Sequence, residues 1–207
     1  MARIFITGSS DGLGLMAAKL LIEKGHSVVL HARSQQRADE AQNKLSAAES
    51  VVVGDLTSIT QTRHVADQVN LLGTFDAVIH NAGLGYREPK RVVTEDGLSH
   101  VLAVNTIAPY ILTALIRRPK RLVDLSSVLH QDGDPSLNDL TWADRPWLGR
   151  LTQIRSSMMC YWHSLLPDGG RTCFRMPWSQ VGCLPRWAVQ ALRTIWTKRT
   201  ALRCGLQ

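Results

Sequence analysis

Thr7-Gly8-Ser9-Ser10-Asp11-Gly12-Leu13-Gly14 sets three glycines between an apolar run, Ile4-Phe5-Ile6, and apolar residues that recur at helical spacing. Glycines at such a turn let a backbone approach a pyrophosphate closely, and the start of a helix offers free N–H groups and a favourable dipole to its negative charge. The same glycines could form only a tight turn, so the motif by itself leaves both readings open. Its place after an N-terminal strand favours the nucleotide. Metal chemistry has no comparable signal. The histidines are scattered, and Cys160, Cys173, Cys183 and Cys204 lack paired zinc-ligand spacing, so no metal site is expected. His130 reads as a loop residue.

The elements that must position this turn follow from periodicity. Leu13, Met16, Ala17, Leu20 and Leu21 mark a first helix that Gly25 stops. Short apolar strands are predicted at 4–6, 27–31, 51–53, 77–80 and 122–125, and helices at 35–48, 59–72 and 95–116. Strands alternating with helices imply a parallel sheet covered on both faces, with ligands at the carboxyl ends of the strands. The fold class is therefore α/β.

Further motifs fall at those strand ends and on the last predicted helix, in order: Gly54-Asp55-Leu56, Asn81-Ala82-Gly83, Asn105, and Leu125-Ser126-Ser127. With the Thr-Gly-x-x-x-Gly-x-Gly turn they resemble the short-chain dehydrogenase/reductase family over roughly residues 2–147. The resemblance implies that Gly8, Ser9, Ser10, Asp11, Gly12, Leu13 and Gly14 cradle a dinucleotide. Asp55 and Leu56 would contact its adenine, and Asn81, Ala82 and Gly83 would steady the sheet beside it. Asn105 would organise a proton relay, and Ser127 would polarise a substrate carbonyl. After the second strand stands His31-Ala32-Arg33-Ser34, with no acid; arginine suits a ribose 2′-phosphate, so Arg33 and Ser34 point to NADP rather than NAD. A solvated surface arginine is the alternative. The polar stretch 130–147 resembles the retinol-dehydrogenase-like branch and is either part of a substrate region or a solvated loop. The resemblance implies a Rossmann-type doubly wound parallel sheet, truncated here after the fifth strand, and hydride transfer between NADP(H) and a small-molecule alcohol/carbonyl pair.

One part of the family pattern fails. It requires a tyrosine and, four residues later, a lysine on one helix face, so that the lysine lowers the tyrosine pKa for proton transfer. After Ser127 the only tyrosine is Tyr161, with Leu165 in the lysine position, and the only lysine is Lys198. Tyr86 and Lys90 have the spacing but precede the serine, and Pro89 lies between them. Residues 1–150 carry 16 Lys+Arg and 16 Asp+Glu; residues 151–207 carry eight Lys+Arg and one acid, Asp168, and so hold the whole net charge of +7. Read one base out of phase, Met158-Met-Cys-Tyr-Trp-His163 encodes Asp-Val-Leu-Leu-Ala whatever synonymous codons are used. Just upstream, Leu151/Thr152 permits a tyrosine codon and Arg155/Ser156 a lysine codon, four apart. The expected organisation is thus an NADP-binding Rossmann domain at 1–147 and a basic tail at 148–207, out of frame and poorly ordered, in a chain that lacks activity.

The alternative is a non-enzymatic protein whose tail, with Arg171, Arg186, Trp187, Trp196 and Arg199, binds nucleic acid or an anionic membrane. No nucleic-acid motif is present, and Pro167, Pro177 and Pro185 interrupt any long amphipathic helix, so no nucleic-acid partner is expected. The pI of about 9.6 belongs to the tail alone. No apolar run approaches the roughly 20 residues of a membrane span. The start of the chain runs straight into strand pattern without a signal peptide, and residues 1–150 contain no cysteine, so a cytoplasmic location is expected. The resemblance also implies homo-oligomers among intact members, through helices that this tail does not supply.

Overall fold

The computed structural model describes residues 1–84 and 90–125. The expectations for Ser127, the 130–147 stretch and the 148–207 tail lie outside the described residues.

Strand β1 (Arg3–Ile6) leads into helix α1 (Gly12–Glu23), then β2 (Ser27–Ala32), α2 (Gln35–Lys44), β3 (Ser50–Val53), α3 (Ile59–Leu72) and β4 (Ala77–His80). A last helical stretch follows, made of α4 (His100–Leu102), a π-helical segment (Ala103–Ile107) and α5 (Ala108–Leu115), and the described residues close with β5 (Arg121–Asp124). All pairings are parallel, in the order β3-β2-β1-β4-β5. The chain winds outward from β1 to β3 and then crosses to β4 on the other side of β1, so the switch point lies between β1 and β4.

Alternation along the strands divides the core. Ile4, Ile6, Val28 and Leu30 point to one face and pack with Ala18 of α1 and Ala41 of α2. Phe5, Val29, Val52 and Val78 point to the other and pack with Val65, Ala66 and Val69 of α3 and with Val104, Ala108 and Leu112 of the last helical stretch. Each face thus removes its own set of aliphatic side chains from water, worth about 1.5–3 kcal/mol for each large one fully buried. The α2 helix, predicted from its polar, alanine-rich sequence as an exposed helix, seats Ala38 and Ala41 against the sheet and ends at Lys44. The doubly wound parallel sheet expected from the sequence is the observed architecture, with five strands among the described residues.

The helix expected over 95–116 starts later and is not uniform. Thr94–Gly97 forms a turn, with Gly97 at φ 75°, and Ser99 caps the helix by accepting the Leu102 N–H at 3.3 Å. A left-handed residue at 97 cannot continue a helix upstream. The π-helical segment ends at Ile107, two residues before Pro109. In a regular α-helix the Pro109 ring would collide with the carbonyl of Asn105, and proline has no N–H to give it; a wider turn relieves that conflict.

Candidate functional site

The carboxyl ends of β1, β2, β3 and β4 surround a cleft of about 470 Å3 at the switch point. Its walls include Gly8, Ser10, Asp11, Gly12, Leu13 and Gly14 of the first turn, Arg33 and Arg37 after β2, Asp55, Leu56 and Thr57 after β3, and Asn81, Ala82, Gly83 and Leu84 after β4. His31, His100 and Val104 complete the described lining. Residues far apart in sequence, most of them singled out by motif, therefore meet in one place.

The glycines divide into two kinds. A Cβ on Gly8 would lie 2.7 Å from the Ala82 Cα, and one on Gly14 would lie 2.4 Å from the Gly8 carbonyl oxygen and 2.5 Å from Asn81 Nδ2. These two glycines let the first and fourth strand-end turns touch. Gly12 has φ 54°, and a Cβ there would meet nothing within 4 Å. It keeps clear a space at the start of α1. Three other helices receive a serine cap: Ser34 accepts from the Arg37 N–H, Ser58 from the Gln61 N–H, and Ser99 from the Leu102 N–H. At α1 the cap residue is Asp11, and its carboxylate accepts no backbone N–H. The first-turn amides of α1 thus face the cleft without a side-chain acceptor, which is the donor set an anion requires.

Asn81 joins the two turns. Its N–H donates to Thr7 Oγ1 at 3.0 Å, and its Nδ2 donates to the carbonyls of Thr7 at 3.0 Å and Gly8 at 2.8 Å. Ala82 N–H also donates to Thr7 Oγ1. Buried Asn105 accepts the Leu84 N–H through Oδ1 and donates to the Leu84 carbonyl through Nδ2, each at 2.8 Å. It therefore clamps the chain just past Asn81-Ala82-Gly83. Asp55 Oδ1 accepts the Thr57 N–H at 2.9 Å, which shapes the turn after β3. Leu56 packs into the core from that turn.

Besides Asn105, two expected site residues stand apart from the cleft. Ser9 is fully buried; its Oγ donates to the Ile6 carbonyl at 2.8 Å and accepts the His31 N–H at 2.9 Å. Ser34 serves as the α2 cap. Both act on the framework of the site. Arg33 is exposed at the cleft and makes no hydrogen bond or ion pair among the described residues.

His31 is a site residue that sequence reasoning missed. Its Nδ1 accepts the Gly8 N–H at 3.0 Å, and its Nε2–H donates to the Gly54 carbonyl at 2.9 Å. That pairing requires the neutral ring, and burial pushes its pKa down to about 4. The ring is a strut between the glycine-rich turn and the turn after β3. Only its place at the end of a strand could have pointed to it. Arg37 was also missed, although a cation in the first turn of a helix opposes the helix dipole and so signals an anionic neighbour.

The match to known proteins follows the same residues. The family model described as short chain dehydrogenase matches residues 2–129. The chain belongs to the short chain dehydrogenase family. An uncharacterized oxidoreductase of Emericella nidulans is 56% identical over 143 residues, covering 68% of this chain and 56% of the relative. Short-chain dehydrogenase chry4 of Gibberella zeae is 50% identical over 145 residues, covering 70% and 55%. Retinol dehydrogenase 13 of Homo sapiens is 26% identical over 167 residues, covering 75% and 50%, in line with the expected branch. This short-chain dehydrogenase chain thus spans about half the length of the curated relatives it matches. Among solved structures, a protein from Mycobacterium paratuberculosis superposes with a TM-score of 0.64 at 29% identity, covering 75% of this chain and 57% of that one. A blue fluorescent protein from a metagenomic library, solved with NADPH, superposes with a TM-score of 0.59 at 22% identity, covering 78% and 65%. The described residues include no helix long and apolar enough to cross a membrane and no cluster of metal-ligating side chains.

Proposed function

We propose that residues 1–125 form the nucleotide-binding part of an NADP(H)-dependent oxidoreductase acting on an alcohol/carbonyl pair, and that this chain binds the dinucleotide without appreciable turnover. The observation that carries the reading is the cleft at the switch point, where the uncapped first turn of α1 and the cleared space at Gly12 face Arg33. The α1 amides suit a pyrophosphate, and Asp55 and Leu56 flank the place of an adenine. Arg33, exposed at the end of β2 with no acid beside it in sequence, suits a ribose 2′-phosphate. The metagenomic blue fluorescent protein, which shares this fold, was solved in complex with NADPH, and that agrees with the assignment. A bound nicotinamide ring supplies or accepts the hydride. The chain's own part is to hold the nucleotide and fix the floor of the cleft, through Asn105 on Leu84 and Asn81 on the first turn.

Proton transfer is the step this chain cannot complete. Ser127 has the position of the residue that polarises the carbonyl, but no tyrosine with a lysine four residues on follows it. A frameshift near codons 147–151 accounts for the loss, for the basic composition of 151–207 and for the forced Asp-Val-Leu-Leu-Ala reading out of phase. Titration of the purified chain with NADPH, followed by nicotinamide fluorescence, is expected to saturate, and NADPH oxidation across a panel of carbonyls is expected to stay at background. Failure to bind sinks the site; turnover on any carbonyl sinks the inactive reading. Coding DNA without Tyr-x-x-x-Lys in the alternative frame sinks the frameshift.

A further inference from the structure

Asp11 occupies the N-cap of α1 with extended backbone, φ −156° and ψ −174°, the conformation from which an aspartate ordinarily accepts the N–H of the second or third helical residue. It accepts neither. Its Oδ2 lies 3.4 Å from the guanidinium of Arg37, which also lies 3.5 Å from Glu40. Arg37 stands in the first turn of α2, whose dipole repels a cation and whose first turn holds no acid. Two anions offset that cost: Glu40, one turn further along α2, and Asp11, which reaches across from the start of α1.

We propose that Arg37 is a positioning residue for nucleotide binding: it draws the Asp11 carboxylate off the start of α1 and so keeps the helix amides free for the pyrophosphate. Without Arg37, the carboxylate turns back onto the first-turn amides of α1 and competes with the phosphates for the same donors, adding its negative charge to theirs. The two ends of the dinucleotide are not involved, so the effect falls equally on NADPH and NADH. This inference rests on the reading of the cleft as a dinucleotide site, and it adds to that reading a self-capping contact that Arg37 suppresses.

Binding of NADPH and of NADH to the full chain, measured by fluorescence titration, tests it alongside thermal unfolding. Arg37→Ala is expected to weaken both nucleotides about tenfold while raising the melting temperature by about 2 °C, because α1 gains a cap and α2 loses an unfavourable cation. Asp11→Ala is expected to tighten both nucleotides about threefold, because it removes a negative charge beside the pyrophosphate and leaves the Arg37 cation unpaired. The double variant is expected to bind like Asp11→Ala, since there is no carboxylate left to restrain. A loss in Arg37→Ala that Asp11→Ala does not rescue overturns the inference, as does a loss confined to NADPH, which would make Arg37 a contact of the 2′-phosphate. An unaltered chain that binds neither nucleotide overturns the dinucleotide site itself, and the inference with it.

Discussion

The two ends of the sheet are built on opposite plans. At the amino ends of the strands, charges are paired within the protein. Arg3 pairs with Glu49, donates to the Leu72 carbonyl at 2.6 Å and lies 4.7 Å from the centre of the Phe75 ring. Glu49 also accepts from Ser27, and Asp76 accepts the Arg3 N–H and pairs with Lys120. At the carboxyl ends, helix amides, an arginine and an open glycine are left facing a cleft, while buried His31 and half-buried Asn81 brace the turns. One end commits its polar groups to holding strands in register. The other holds its turns rigidly but leaves its outward donors open, which is what binding an anion demands.

The strongest way to break that contrast is Gly14→Val. Its side chain would enter a space bounded by the Gly8 carbonyl and Asn81 Nδ2, both already fixed by hydrogen bonds. A stability loss of about 3 kcal/mol is expected, with nucleotide binding lost; urea midpoints and NADPH titration read the two effects. A folded variant that still binds NADPH would show that the bracing is not needed.

Acid separates the two ends. The unfolded chain protonates His31 near its ordinary value of 6.5, whereas the buried ring resists protonation until about 4. Its contribution is therefore complete above pH 6.5 and lost as the pH falls toward 4, by about 3 kcal/mol in all. At the other end, the Arg3 hydrogen bond holds the Glu49 carboxyl below its ordinary 4.5, so that contribution is present above 4.5 and lost only as the pH falls further. Urea midpoints at pH 7, 5.5 and 4.5 should already decline, and His31→Gln should flatten that decline. An unchanged midpoint from pH 7 to 4.5 would remove His31 from the frame of the site.

Two milder changes sharpen the comparison by separating stability from binding. Gly12→Ala places a side chain at φ 54° in open space, for about 1 kcal/mol of backbone strain. It also fills the ground before the α1 amides, so NADPH affinity should drop about tenfold or more. Glu49→Gln should cost about 1 kcal/mol or less and leave NADPH affinity unaltered. Equal effects on binding from the two variants would mean that the ends are not functionally distinct.

Much of this was legible in the sequence because it is local. Apolar runs of four residues, glycines before a helix and an asparagine after a strand each report a conformation settled by near neighbours. The carboxyl ends of parallel strands then bring those motifs together by topology. Boundaries were less legible where two local signals conflicted. Residues 95–116 read as one long helix, but Gly97 delayed its start and the π-helical segment before Pro109 broke its period.

The sequence by itself determined the alternating fold, the glycine-rich turn before α1 and, within residues 128–207, the lack of a tyrosine with a lysine four residues on. Only the tertiary structure decided that Ser9 turns inward, that Asn105 holds Leu84, that His31 braces Gly8 against Gly54, and that Arg37 lies beside Asp11. Most of these contacts join residues more than 20 positions apart. Periodicity and propensity describe which way a side chain faces along its own element. What it meets there depends on which strand lies alongside, and that is settled when the sheet assembles.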